Sequence, residues 1–178
     1  MAEAVDGVIA AGNLPTWISP ASAITTPPSE ENPSIPLAAL SGATTVKADC
    51  YMDWGGFSLT RTPTTRERQR MCQKVRETIQ TGETIDASLT AVYDQQAALT
   101  EEVNKVYAAL PAGTEVYIAR AYGWDTDTAP TAATKVDLIR GAVQARTKNE
   151  PANADEDLKV TATISGSAIW EDVTLTSA

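Results

Sequence analysis

Apolar and polar residues alternate most cleanly between residues 84 and 93. Ile85, Ala87, Leu89, Ala91 and Tyr93 stand against Thr84, Asp86, Ser88, Thr90 and Val92. A period of two marks a strand with one buried and one wet face. The same alternation returns at Leu158, Val160, Ala162 and Ile164, separated by Lys159, Thr161 and Thr163. Further strands are expected over residues 16–18, 46–52, 57–62, 115–122, 136–146, 158–165 and 168–176, with a turn at Trp54-Gly55-Gly56. Residues 66–80 support two readings. Met71, Val75 and Ile79 recur every four positions, as in a helix, whereas Thr64, Thr65 and Thr78 favour a strand. With 84–93 as partner, the strand reading makes a hairpin closed at Thr81-Gly82-Glu83.

One helix is expected over residues 95–109. Asp94 is suited to its N-cap, and Leu99, Val103, Val106, Tyr107 and Leu110 form one apolar stripe. Glu101 and Lys105 face solvent at i, i+4, and Pro111 and Gly113 end the run. Residues 125–133 and 149–157 read as loops. The first 45 residues differ from the rest because Pro15, Pro20, Pro27, Pro28, Pro33 and Pro36 interrupt them. Each proline removes a backbone donor and fixes a bend. The expected organisation is therefore an arm over 1–45 with one edge strand, followed by a β domain over 46–178. The fold class is mainly β: a β-sandwich or partly closed barrel with one flanking α-helix.

Charge changes this picture. The chain carries 14 positive and 23 negative side chains, a formal net charge of −9. Six of the positives, Arg61, Arg66, Arg68, Arg70, Lys74 and Arg76, fall in one window whose only acid is Glu67. As a strand, this window would present Arg66, Arg68, Arg70, Lys74 and Arg76 on one face. An acidic protein with one basic stripe finds its complement most simply in another copy of itself, and these six residues are candidates for a subunit interface. A solvated outer face is the plainer alternative. The overall acidity argues against wrapping nucleic acid but not against enclosing it.

Catalytic chemistry has little to stand on. The absence of histidine removes histidine-based triads and metal sites, and two cysteines fall short of a structural zinc set. Cys50 and Cys72 are expected as reduced, half-buried thiols, because the N-terminus lacks the basic start and apolar run of a secretion signal, and a disulfide is the alternative if two strands bring them together. No stretch reaches the length of a membrane span, so no membrane partner is expected. Asp125-Thr126-Asp127 lacks the spacing of a calcium loop and reads as a turn, and Asp155-Glu156-Asp157 reads as an acidic loop tip. Gly55-Gly56 has no phosphate-binding lysine after it. Paired carboxylates could serve a glycosidase, and Trp17, Trp54, Trp124 and Trp170 a sugar platform, although filling core or interface is the simpler role for the tryptophans. No catalytic residue, cofactor or metal is expected.

Several strings in order carry a family resemblance. They are Leu14-Pro15-Thr16-Trp17-Ile18, Lys47-Ala48-Asp49-Cys50-Tyr51-Met52, Gly55-Gly56-Phe57, Arg70-Met71-Cys72, Ala91-Val92-Tyr93-Asp94, Leu110-Pro111-Ala112-Gly113-Thr114 and Val136-Asp137-Leu138. Across residues 14–165 the chain resembles the major tail tube proteins of long-tailed bacteriophages, particularly those of actinobacterial phages. The resemblance implies hexameric rings stacked into a hollow virion tail tube, built in the host cytoplasm. DNA would pass through without specific binding, and tape-measure, terminator and tip proteins would be partners. The long proline-rich start departs from the family pattern. A lumen wall should be polar and non-basic, and Asp86, Ser88, Thr90, Thr161 and Thr163 have that character, with the helix on the far side. The alternative is a β-sandwich binding module, such as a capsid decoration or carbohydrate-binding protein.

Overall fold

The computed structural model describes residues 8–29, 31–72 and 74–177. Its strands are β1 (Thr16–Pro20), β2 (Ser34–Pro36), β3 (Val46–Lys47), β4 (Phe57–Arg68), β5 (Glu77–Val92), β6 (Glu115–Arg120), β7 (Lys135–Asn149) and β8 (Lys159–Thr176). Two short helices, α1 (Ala38–Ser41) and α2 (Lys105–Ala109), complete the set. All strands join one open sheet in the order β3-β1-β6-β7-β8-β5-β4, and β2 runs parallel to the end of β8. The other pairings are antiparallel.

Two apolar clusters explain how this sheet is shaped. Ile18 of β1, Leu89 of β5, Ile118 of β6, Val143 of β7 and Ile164 of β8 share the inner cluster. Strands at distant positions in the order can share a core only if the sheet curls toward itself. The β7–β8 pair carries register shifts between Val136/Leu138, Arg140/Gly141 and Val143/Ala145, and bulges of this kind bend a strand pair. The outer cluster gathers Trp17, Tyr117, Leu138, Val173 and Leu175 from the other face, under Ile24, Ile35, Ala39 and Leu40 from the stretch between β1 and β3. β1 and β6 are thus buried on both faces, which is why neither alternates in sequence.

Several sequence expectations change. β1 lies between β3 and β6, so it is an interior strand and not an edge. Residue 45 separates segments that contribute to the same sheet and to both clusters. The expected strand over 46–52 shortens to β3 because Asp49–Tyr51 form a turn of 3-10 helix. The two expected C-terminal strands are one continuous β8. The hairpin closes over residues 69–76, not at Thr81-Gly82-Glu83, which lies inside β5. Thr64 faces Gly82 and Thr65 faces Gln80, leaving Thr81 as the extra residue of a bulge. Its hydroxyl donates to the Thr64 carbonyl at 3.2 Å.

The expected helix keeps only its last turns, a 3-10 turn over Glu102–Asn104 followed by α2. Buried Asn104 accepts from the Asp94 amide at 3.0 Å and donates to the carbonyls of Asp94, Ala97 and Ala98 at 2.7, 3.1 and 3.2 Å. These bonds hold the preceding residues as a loop. Val106 and Leu110 enter the inner cluster, whereas Leu99 is exposed. Lys105 pairs with Glu102 and not with Glu101.

Gly141 and Gly166 face each other at the bend. A Cβ on Gly166 would lie 2.5 Å from Ile85 Cγ2, and one on Gly141 2.7 Å from Ile164 Cγ2. Gly166→Ala should therefore destabilise the fold by about 1–3 kcal/mol through overpacking, read as a lower urea midpoint.

Tyr51 donates to Glu102 at 2.5 Å, tying the turn after β3 to the start of the helical segment. That bond, then burial and nearby negative charge, raise the Tyr51 pKa from 10.0 to about 12. The Glu102 carboxyl is held below its ordinary value by hydrogen bonds from Lys105 and then Tyr51. A raised phenol pKa stabilises the fold below the ordinary value, and that contribution is lost as pH rises from 10.0 to about 12. Tyrosinate absorbance should show a late step that Tyr51→Phe removes and Glu102→Ala shifts back toward 10.0. An unshifted step in Glu102→Ala would refute the link.

Candidate assembly surfaces

The outer face of β4, β5, β8 and β7 is built by simple register. Ser58 lies opposite Ser88 and Thr60 opposite Asp86. Asp86, Ser88 and Thr90 lie opposite Ser165, Thr163 and Thr161, and Thr161 lies opposite Thr147. Directly opposed residues share a face, so Asp86, Ser88, Thr90, Thr161 and Thr163 come together on one polar surface. Their neighbours Ala87, Leu89, Ala91, Ala162 and Ile164 all point into the inner cluster. Thr90 and Thr161 hydroxyls meet at 2.7 Å, and Asn149 donates to Thr161 at 2.9 Å. Ser58, Thr60, Asp86, Gln144, Thr163 and Ser165 line a shallow hollow in the same face. Asp86 is the one charged residue among these. α2 packs on the inner cluster, on the other side of the strands from Thr161.

The sequence reading omitted Ser58, Thr60, Gln144, Thr147 and Ser165. Phe57-Ser58-Leu59-Thr60 does alternate, with Phe57 and Leu59 packed on the inner cluster, so the signal was present in part. Gln144 sits at a register shift, which alternation alone does not locate.

Beyond Ile85 the β4–β5 pair leaves the body as a two-stranded ribbon with little buried side-chain surface. The basic residues lie on it, but not on one face of one strand. Arg61, Arg66 and Arg68 belong to β4, whereas Arg70, Lys74 and Arg76 lie in the connection to β5. Among the described residues, Arg61, Arg68 and Arg76 find acids within the chain. Arg61 binds Glu83 at 3.0 Å and Glu171 at 2.6 Å, Arg68 binds Glu77 at 3.1 Å, and Arg76 binds Glu67 at 3.0 Å. A second copy is therefore not needed to neutralise them. Arg66 and Lys74 make no ion pair among the described residues.

The remaining candidates for chemistry resolve into structural roles. Asp125 accepts from the Asp127 amide at 2.9 Å, the expected self-bracing turn. Trp17 is buried, Trp124 and Trp170 pack on the outer cluster, and Trp54 is exposed, so the four do not form one platform. Cys50 and Cys72 are free and exposed, not half-buried. The described residues contain no group of three or more acids or cysteines arranged to hold a metal.

Comparison with known proteins identifies the fold and the family. The structure is similar to the tail tube of the siphovirus SPP1, with a TM-score of 0.52 at 7% identity, over 93% of this chain and 80% of that one. No curated protein matches the sequence. The family model for phage tail tube proteins matches residues 1–178. The chain belongs to the phage tail tube protein family, a family of structural virion proteins.

Proposed function

We propose that this protein closes into rings, six subunits in each, which stack into the conduit for genome ejection. The polar face of β4, β5, β8 and β7 is the lumen wall. The observation that carries the reading is that face: a broad hydroxyl-rich surface with Asp86 near its middle and Lys159, paired with Asp53, at its end, on a chain whose net charge is −9. DNA passing such a wall meets a lysine already paired with Asp53 and little apolar area that would trap water.

The open sheet supports ring closure. β3 and β4 end the strand order, so each subunit has two unlike free edges. Unlike edges meeting head to tail close a ring when the rotation allows. The ribbon, with Arg61, Arg66, Arg68, Arg70, Lys74 and Arg76, makes contacts between subunits. Tape-measure, terminator and tip proteins would complete the tail, with assembly in the host cytoplasm.

In a chain carrying Cys50→Ser and Cys72→Ser, Thr161→Cys should react with a bulky maleimide in the free subunit but not in end-capped tubes. Lys105→Cys, on the far side, should react in both. Labelling of Thr161→Cys in capped tubes together with protection of Lys105→Cys would invert the wall.

A rim ion pair contributes only about 0.2–1 kcal/mol, but a tube repeats it at every interface. Arg66→Glu with Arg70→Glu should therefore prevent tube formation, while circular dichroism shows an unchanged fold. Normal tubes under the electron microscope would remove the basic ribbon from the interface.

A further inference from the structure

The strands that carry the polar face leave two backbone edges open, and the two edges match. Among the described residues β4 pairs on one side only, with β5. Thr90 donates to the Gly56 carbonyl at 2.6 Å, one step before Phe57 meets Leu89. Backbone groups alternate in direction along a strand. Ser58, Thr60 and Thr62 therefore bond to β5, whereas Phe57, Leu59 and Arg61 aim their amides and carbonyls away from it. Pro63 is next in that outward series and has no N–H, so the run of open donors stops at Arg61.

The second edge belongs to β7. Its ladder with β6 ends where Ala142 meets Glu115, and Val143 then bonds with Gly113 and Thr114 at 2.8 and 2.9 Å. Over residues 144–149 β7 pairs only with β8 among the described residues. This segment is exposed apart from half-buried Arg146. An open edge of this kind is a template for another strand.

Length, direction and face agree. Residues 57–62 and 144–149 are equally long, whereas β3 at the far end of the strand order has only Val46 and Lys47. β4, β5, β8 and β7 alternate in direction, so β4 and β7 run oppositely. Rotation about a ring axis preserves the sense of each strand. β4 therefore meets a neighbour's β7 antiparallel, but would meet a neighbour's β3 parallel. Ser58, Thr60 and Thr147 all lie on the polar face, and joining these edges continues that face from one copy to the next.

We infer that the 57–62 edge of β4 adds to the 144–149 edge of β7 in a second copy of this chain, and that Pro63 sets where the joint ends and the free ribbon begins. This rests on the reading of the chain as a ring-forming tube subunit, and it names the two strands that meet.

One pair of variants isolates the backbone. Arg61→Ala and Arg61→Pro both lose the guanidinium, but only the proline also loses the outward N–H, and it spares the bonds to β5. Arg61→Pro should raise the concentration needed for assembly about tenfold above that of Arg61→Ala. Circular dichroism and urea midpoints of the free subunits check that both fold. A second measurement does not depend on proline. In open rings or tubes carrying Cys50→Ser and Cys72→Ser, Thr60→Cys together with Thr147→Cys should give a ladder of linked subunits with a short bis-maleimide. Either cysteine alone should give only monomer. A dimer from Thr60→Cys alone means that β4 pairs with another β4, and overturns the joint. Tubes with no linkage through Thr60 and Thr147, or equal assembly of the two folded Arg61 variants, also overturn it and leave the tube reading standing. A wild-type chain that forms neither rings nor tubes at any concentration overturns the tube reading and the joint with it.

Discussion

Leu89 and Ile164 share a single apolar cluster with Ile18 and Ile118, and this shared burial governs the rest of the molecule. To place those residues together, the sheet must curl, and the curl needs bulges along β7–β8 and two glycines where side chains would collide. Curling also commits every second residue of β5 and of the first half of β8 to the outside. The polar face is therefore not an independent design. It is the reverse side of the core, and its position follows from the packing of Leu89 and Ile164.

The second cluster explains why the proline-rich start is part of the body. β1 and β6 turn Trp17, Tyr117 and Ala119 away from the inner cluster, and these need a cover. The chain between β1 and β3 supplies it with Ile24, Ile35, Ala39 and Leu40. Prolines there prevent an extra ladder from forming but do not prevent packing. A segment poor in regular structure can still seal a core.

The sequence announced its one-sided strands and concealed its two-sided ones. β5 and β8 alternate, so the inner and outer residues of the candidate lumen were legible at single positions. β1 and β6 do not alternate, and their interior place in the sheet depends on partners far along the chain. The hairpin was misplaced because Thr81-Gly82-Glu83 carries the composition of a turn, whereas the real connection over 69–76 lacks glycine and proline. Gly82 instead pairs with Thr64 inside the ladder, next to the Thr81 bulge. The helix shortened for a different reason: the Asn104 side chain competes for backbone groups that periodicity cannot see. The basic stripe looked unanswered because Glu77, Glu83 and Glu171 lie outside its window and reach it only through strand pairing.

The β4–β5 ribbon has a mechanical meaning. Its register is held by backbone bonds and exposed ion pairs rather than by packed side chains, it joins the body at Ile85, and it carries the Thr81 bulge along its length. The body is close-packed on two sides of its sheet and resists deformation. Each subunit is thus a stiff block carrying a compliant leaf. In the proposed column of rings, curvature would be absorbed by the leaves, and the bore enclosed by each ring of blocks would keep its diameter while the column bends.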